Sequence, residues 1–306
     1  MSATPGSSST MSSPSNDQSL TARALLDTAD FNLNESALYG KLTWFRDKQG
    51  DVLILRPTDN DDRHSSPTSA TLGCIVDIDY DNYWLTSDGH YTGGGNYPQS
   101  FDKTKPTCYV KQPTNPALMN EFTNVIQNLR YLQDLMEPKA KSNDRSGYLV
   151  NDKSTRFKVR HPLFTNLKEI TEEEKRESTS LRHELTTAGW PVETDAAKRQ
   201  LDTVQTTHRV VPLPAYDIDG DLISPTIYRN MLAGATVALC IRLLHYTIKK
   251  TIPNGPTTYT DSFVADIEKI RVITAPVTVT SKKRPLALKD STPPSERSFG
   301  KRPKTT

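Results

Sequence analysis

The chain has 306 residues, of which 38 are Lys or Arg and 36 are Asp or Glu, so its formal net charge is only +2. A mean hydropathy of −0.60 and 21 prolines indicate a hydrophobic core accompanied by long loops or tails. No apolar run approaches the ~20 residues that span a bilayer, no signal peptide is visible, and the three cysteines fit no disulfide or zinc spacing, which excludes the membrane, mini-protein and zinc-finger classes.

Strands and an acidic region are predicted in the first third of the chain. Residues 1–19 are rich in serine and have no hydrophobic periodicity, which is typical of disorder. Segments rich in β-branched and aromatic residues predict strands at Leu38–Phe45, Val52–Arg56 and Leu72–Leu85. Residues 59–102 hold eight aspartates and a single cation, and we interpret them as an acidic lobe.

Helices are predicted in the middle of the chain. Apolar residues recur on one stripe in Pro116–Met136, so we expect one long amphipathic helix that stops before Pro138. Residues 168–205 are predicted to be a helical insert, with helices at Ile170–Gly189 and Asp195–Val204. The intervening region and these helices are expected to belong to a single domain over residues 20–279.

The segment Arg156–His161 alternates cationic and apolar side chains. In a strand such a pattern places the cations on one face, roughly 7 Å apart, and the apolar residues in the core. A phosphodiester backbone has a comparable repeat, and neighbouring aromatic residues supply surfaces for base stacking. We therefore predict a nucleic-acid-binding strip formed by Tyr148, Lys153, Arg156, Lys158 and Arg160. The alternative is an ordinary solvated strand face.

The last third of the chain predicts a curled pair of strands. A short helix that ends at Gly234 precedes a long strand at Ala235–Lys250. The apolar parity of this strand switches between Leu243 and Leu244, which is typical of a β-bulge. Asp261–Ile273 is predicted to return as the second strand, although its apolar spacing would also suit a helix.

Motifs in this part carry a resemblance to known sequences. They are Pro212–Asp217, Asp219–Gly220, Ile223–Pro225, Tyr228 and Leu232–Ala235. The pattern resembles a recurring segment in uncharacterised proteins of mushroom-forming basidiomycete fungi, and this resemblance implies no particular activity. The layout of residues 210–275 is also similar to the barrels of single-stranded-DNA-binding proteins of the OB type. That likeness implies a groove in which the strip is joined by Arg242, His245, Tyr246 and Lys249.

The C-terminal segment, residues 280–306, is predicted to be a disordered basic tail. It contains eight Lys or Arg residues, two acidic residues and four prolines. Two compact cationic clusters, each beside a proline, are typical of signals that a nuclear import receptor reads. Their residues are Lys282, Lys283, Arg284, Lys301, Arg302 and Lys304.

Enzymatic chemistry finds little support in the sequence. The aspartates of residues 77–88 and 217–221 fit a strand face and a turn better than a metal site, and the six histidines are scattered without ligand spacing. No nucleophile motif or phosphate-binding loop is present. We therefore predict neither catalytic residues nor metal ligands, and no cofactor, membrane association or small-molecule substrate is expected.

These patterns together predict an α+β protein. Its centre is expected to be a β-rich, OB-like barrel with one long amphipathic helix and disordered termini. The function expected is non-catalytic binding of nucleic acid in the nucleus, with single-stranded DNA favoured over other forms. The alternative is a nuclear scaffold that acts through protein contacts and does not touch nucleic acid. DNA against RNA, sequence preference and oligomeric state stay open.

Overall fold

The structure is a computed structural model, and it describes residues 20–47, 50–57, 67–94, 99–136, 142–148, 155–179, 181–251, 255 and 257–276. The predictions made for residues 1–19 and 280–306 lie outside these ranges. None of the helices within them has both the length and the apolar character that crossing a membrane requires.

The strands, numbered in chain order, are β1 (Phe31–Asn32), β2 (Leu42–Arg46), β3 (Asp51–Leu55), β4 (Thr71–Tyr83), β5 (Thr107–Lys111), β6 (Ser142–Ser146), β7 (Arg156–Arg160), β8 (Phe164–Asn166), β9 (His208–Val210), β10 (Ala215–Tyr216), β11 (Thr236–Thr251) and β12 (Thr257–Thr274). The α-helices are α1 (Pro116–Met119), α2 (Phe122–Asp134), α3 (Glu172–Thr179), α4 (Asp195–Val204) and α5 (Tyr228–Leu232).

Five of these strands close into a barrel. Their order around it is β4, β5, β7, β12 and β11, and β11 pairs again with β4 to complete the circuit. The β7–β12 pair is parallel and the other four pairs are antiparallel. A closed five-stranded barrel with this crossover is OB-like. The predicted α+β, β-rich fold class is therefore confirmed.

Side-chain alternation fills the interior of the barrel. In β7, Phe157 and Val159 are buried, whereas the residues on either side of them are at least partly exposed. The predicted strand at Arg156–Arg160 is confirmed. In β11, the inward positions run without interruption from Val237 to His245. Apolar side chains at these positions meet in one core, and their removal from water stabilises the closed barrel.

The β-bulge that was predicted in β11 is found in its partner strand, β12. The register between β11 and β12 shifts at Cys240 and Ile241, where Glu268 of β12 is the extra residue. β11 itself keeps its alternation at this point, since Leu243 and His245 are buried whereas Leu244 and Tyr246 on the outer face are partly exposed. The helical alternative for Asp261–Ile273 is wrong, since this segment is part of β12.

The predicted long helix is two helices. Leu118 of α1 packs in a small cluster with residues of the N-terminal segment, whereas Phe122 of α2 packs in the main core. Because these two side chains pack in separate clusters, one straight helix does not bury both, and the helix is interrupted between Met119 and Phe122. In the insert, α4 is confirmed at Asp195–Val204, and the predicted helix at Ile170–Gly189 shortens to α3 and a 3-10 turn.

Candidate nucleic-acid interface

Strands β5 and β7 present polar and aromatic side chains on the outside of the barrel. Their residues pair across the ladder as Thr107 with Arg160, Tyr109 with Lys158, and Lys111 with Arg156. The residues between them point inward and are buried, so these six side chains share one outer surface. We call this surface the β5–β7 face. It carries four cations and one aromatic ring.

A carboxylate neutralises one end of the β5–β7 face. Asp79 of β4 lies 3.4 Å from the guanidinium of Arg156 and 3.9 Å from the ammonium of Lys111. Burial alone would raise the pKa of Asp79, but hydrogen bonds from Asn82 and from the Asp81 N–H, together with the two cations, lower it overall. Asp79 is therefore a fixed anion. The Arg156 guanidinium also stacks over the ring of Tyr109, 4.8 Å from its centroid.

The other end of the face continues onto β12 and β11. Arg160 Nε donates to Asp266 Oδ1 at 2.5 Å, and its guanidinium lies 5.9 Å from the ring centroid of Tyr246. Arg242 pairs with Glu268 at 3.2 Å. Burial raises the pKa of Glu268, the Arg242 charge opposes the increase, and Asp266 adds to it. Cations and carboxylates thus alternate across the barrel surface.

A cleft of about 1820 Å³ opens beside this end of the face. Its floor includes Lys158, Arg160 and Tyr246, and one wall is the turn between β2 and β3. The opposite wall is formed by residues 99–105 and by β8. Burial, and next the charge of Arg160, lower the pKa of Lys105 in this wall. Among the described residues no carboxylate forms an ion pair with Lys158 or Lys105, although the charge of Asp266 acts on Lys105 and opposes the decrease of its pKa.

An exposed tryptophan borders the face on the β4 side. The Trp84 N–H donates to the carbonyl of Thr107 at 2.8 Å, which places Trp84 next to the Thr107–Arg160 pair. Tyr83 and Leu85 on either side of it are buried, whereas Trp84 is 39% exposed. The surface thus has three aromatic rings, of which Tyr109 lies against Arg156 and Tyr246 lies near Arg160.

Two aspartates of the predicted acidic lobe, Asp77 and Asp88, are buried and hold the fold together. Asp77 accepts from the Thr236 hydroxyl at 2.6 Å and from the Thr114 N–H at 2.8 Å. Asp88 is fully buried and accepts from the Thr194 N–H at 2.7 Å, which anchors the helical insert. Residues 71–83, within the predicted acidic region, form strand β4 of the barrel. In the part of the chain that the structure describes, no three His, Cys, Asp or Glu side chains are grouped so as to hold a metal ion.

The structure brings some of the predicted site residues together in the cleft and places others outside it. Lys158, Arg160, Arg242 and Tyr246 line the cleft together, and the buried Tyr148 also belongs to its lining. Arg156 is on the same strand face beyond the cleft, and Lys249 is exposed farther along β11. Lys153 lies outside the described residues, as do the six residues of the predicted import signal, Lys282, Lys283, Arg284, Lys301, Arg302 and Lys304.

Two of the predicted contacts are wrong, because the side chains are inside the protein. Tyr148 is 1% exposed, and its hydroxyl donates to the carbonyl of Leu129 at 3.1 Å, so its ring has no free face for a base. His245 is also 1% exposed and lies between Asp51 and Asp261. It belongs to the inward positions of β11 and does not reach a ligand.

Sequence reasoning missed Tyr109, Lys111, Trp84 and Lys105. The first two could have been found, since Thr107–Lys111 shows the same alternation as β7. Trp84 and Lys105 carry no local signal. They join the site through the pairing of β4 and residues 104–106 with β5 and β7, which is a property of the fold.

Comparisons with known proteins add a distant structural likeness. No protein-family model and no curated protein matches the chain. The resemblance to fungal sequences therefore stays a prediction. Among solved structures, gp2.5, a single-stranded-DNA-binding protein encoded by bacteriophage T7, aligns over 69% of this chain and 96% of its own, with a TM-score of 0.33 and 8% sequence identity.

Proposed function

We propose that this protein binds single-stranded nucleic acid, without catalysis, along the β5–β7 face and into the adjoining cleft. One observation carries the proposal. Cationic side chains and exposed or half-buried aromatic rings share one outer surface of an OB-like barrel, the surface formed by its second and third strands. In OB folds generally this surface and the loops beside it bind oligonucleotides.

The spacing of the groups suits a single strand. Lys158 and Lys105, which have no carboxylate partner among the described residues, would contact phosphates of the strand. Tyr109 and Trp84 would receive bases, and each stacked base contributes about 1–3 kcal/mol. In a duplex the bases are already stacked on one another, so these rings favour an unpaired strand.

Binding to the face is tested by fluorescence anisotropy with a labelled oligo(dT) and the full chain. The double variant Lys158→Ala, Tyr109→Ala removes one unpaired cation and one ring, and we expect it to weaken binding at least tenfold, from about 1–3 kcal/mol for the ring alone. The matched control is Lys198→Ala, which removes an exposed lysine of α4 on the insert. We expect its affinity to equal that of the wild type.

Two results would contradict the proposal. One is the absence of binding at low salt, which would leave the scaffold function as the better explanation of the chain. The other is an equal loss in the double variant and in Lys198→Ala, since it would show attraction without a defined site. Incubation of the oligonucleotide with Mg²⁺ and the protein, followed by a denaturing gel, tests the non-catalytic part; shortened products would overturn it.

Action in the nucleus is a further part of the proposal, and it rests on sequence alone. The support is the pair of cationic clusters in residues 280–306. A fluorescent protein fused to residues 280–306 should concentrate in the nucleus of a eukaryotic cell. Replacement of the six clustered Lys and Arg residues by Ala should abolish that accumulation, and an even distribution of the unmodified fusion would contradict the proposed location.

A further inference from the structure

A cation and an exposed aromatic ring also meet outside the cleft, near the end of β4. The guanidinium of Arg229, in α5, lies 5.8 Å from the ring centroid of Tyr80 and 5.6 Å from that of Tyr83. Tyr83 is buried, whereas Tyr80 is 59% exposed and Arg229 is exposed as well. Neither Tyr80 nor Arg229 belongs to the lining of the cleft or to the β5–β7 face. We call this pair the Tyr80–Arg229 platform.

The platform is held in place by the barrel. Arg229 Nη1 donates to the carbonyl oxygen of Tyr83 at 3.3 Å, so this hydrogen bond and the two rings together fix the guanidinium. The ring of Tyr80 lies beside Gly234, where an added Cβ would be 3.8 Å from it. A ring that is already positioned, but is mostly exposed, loses little conformational freedom when a base stacks on it.

The charge of Arg229 is not neutralised by an ion pair. Among the described residues no carboxylate forms such a pair with it, and its contacts are the Tyr83 carbonyl and the two rings. Asp81, the residue after Tyr80, is exposed, so its charge acts through water. Arg229 thus differs from the arginines of the β5–β7 face, and a phosphate that binds it displaces no paired carboxylate.

Backbone hydrogen bonds place the platform in line with the β5–β7 face. The peptide that joins Tyr83 to Trp84 donates its N–H to Thr107 and accepts from Arg229 at its carbonyl. In a trans peptide these two groups point in opposite directions, so Arg229 lies on the side of β4 that is opposite β5. Thr107 is the register partner of Arg160. Three strand spacings, about 14 Å, therefore separate Arg160 from Arg229, with the exposed Trp84 between them.

We propose that the Tyr80–Arg229 platform extends the path of the bound single strand beyond the β5–β7 face. The strand crosses Trp84, stacks a further base on Tyr80 and places a further phosphate on Arg229. This inference rests on the proposed function for its ligand, because a polyanion with unpaired bases suits an unpaired guanidinium beside an exposed ring. A short oligonucleotide occupies the face and the cleft without reaching the platform, whereas a longer one reaches both.

The length of the oligonucleotide tests this extension. Anisotropy titrations use the full chain and labelled oligo(dT) of about 6 and about 16 nucleotides, which lie within the range of site sizes of OB folds. We expect Tyr80→Ala to weaken binding of the longer oligonucleotide by about fivefold or more, the loss of one stacked base. Because the shorter oligonucleotide does not reach Tyr80, we expect its affinity to be unchanged.

The charge of the platform is tested by Arg229→Gln. Glutamine keeps an amide N–H donor for the Tyr83 carbonyl but removes the charge. For the longer oligonucleotide we expect a log K against log salt slope shallower by about 0.7, the value for one phosphate contact on a single strand, and for the shorter one no change. The matched control is Arg199→Gln, which removes the same charge from an exposed arginine of α4. We expect it to leave both slopes unchanged.

The outcomes separate this inference from the proposed function. If the wild type bound neither oligonucleotide at low salt, the proposed function would be overturned and the extension with it. If the wild type bound both, and Tyr80→Ala and Arg229→Gln left both affinities unchanged, the extension alone would be overturned. An equal loss for the two lengths would also overturn it, since the residues would then act through the fold of β4 and not through contact with the strand.

Discussion

Three arginines of the candidate interface each face a carboxylate from another strand. Arg156 faces Asp79, Arg160 faces Asp266, and Arg242 faces Glu268. A phosphate that binds one of these arginines competes with a carboxylate already in place, so the pair contributes little net attraction until the carboxylate is displaced or neutralised. The lysines that have no such partner, Lys158 and Lys105, therefore dominate the attraction for a polyanion.

Neutralising one of the resident carboxylates should strengthen binding. Asp266→Asn keeps an oxygen that accepts from Arg160 but removes the charge, so the guanidinium becomes available to a phosphate. We expect tighter binding of oligo(dT) and a log K against log salt slope steeper by about 0.7, the value for one additional phosphate contact on a single strand.

The control for this charge effect is Asp134→Asn. Asp134 is an exposed carboxylate of α2 that pairs with Arg145, away from the lining of the cleft. It removes the same charge from the whole protein. An equal gain in both variants would show that net charge, and not the Arg160 pair, sets the affinity.

For a single polar residue, the sequence predicts whether the side chain is exposed or buried only where a local strand pattern shows which face of the strand it is on. The alternation in Arg156–Arg160 identified both the outer cations and the buried Phe157 and Val159. It gave no warning for His245, whose partners Asp51 and Asp261 are 194 and 16 residues away. A buried polar residue is satisfied by partners that the fold brings together, and a list of exposed-residue types cannot identify them.

Among the elements, the β2–β3 hairpin contributes Phe45, Gly50 and Asp51 to the lining of the cleft. Its turn has room for no side chain at Gly50, because the ring of Tyr246 packs against the backbone there. The hairpin was predicted from sequence as two strands, and both are present, but the first begins at Leu42, four residues after its predicted start at Leu38. Its packing against β11 was not predicted, since the contact depends on the closed barrel.

A methyl group at Gly50 should disturb that packing. Gly50→Ala places a Cβ 2.8 Å from the His245 carbonyl, so the turn must move away from Tyr246. We expect the free energy of unfolding in urea to fall by about 1–3 kcal/mol, the usual cost of overpacking, and oligo(dT) affinity to fall with it. Gly94→Ala is the matched control, because nothing lies within 4 Å of an added Cβ at that position. A loss of stability as large in Gly94→Ala would contradict this explanation.

The helical elements show where periodicity is insufficient. One apolar stripe runs through Pro116–Met136, yet Leu118 and Phe122 pack in different clusters, and the helix is interrupted between them. A stripe identifies the residues that will be buried but not the number of surfaces that bury them. In the insert, α4 has the predicted bounds because its cap, Thr194, is a local signal that accepts from the Ala197 N–H.

In the whole molecule, the pairing of β4 with β11 closes the barrel. Thr236 of β11 is aligned with Asp77 of β4, and their side chains share a 2.6 Å hydrogen bond across 159 residues of sequence. The curled hairpin of β11 and β12 was predictable from residues 235–273, and the likeness to an OB barrel was stated for the layout of residues 210–275. The closure that completes the barrel was not predictable, because neither strand carries a mark of its partner. The same holds for the cleft, whose lining combines residues as far apart as Phe45 and Asp266.

The molecule combines two sources of attraction for nucleic acid that can be separated by experiment. Residues 277–306 contain eight Lys or Arg and two acidic residues, a net charge of +6, while the β5–β7 face adds aromatic rings to its cations. Charge alone attracts any polyanion, whereas stacking requires unpaired bases.

Deletion of residues 277–306 should therefore weaken binding of an oligo(dT) and of a duplex of equal charge by the same factor, and more at low salt than at high salt. Tyr109→Ala leaves the charge unchanged and should weaken only the oligo(dT), by about fivefold or more at 1–3 kcal/mol per stacked base. Anisotropy titrations of both ligands with both variants measure the four factors. If Tyr109→Ala weakened the duplex as much as the single strand, the ring would be acting through the fold of the face, and the preference for unpaired bases would have to come from elsewhere in the cleft.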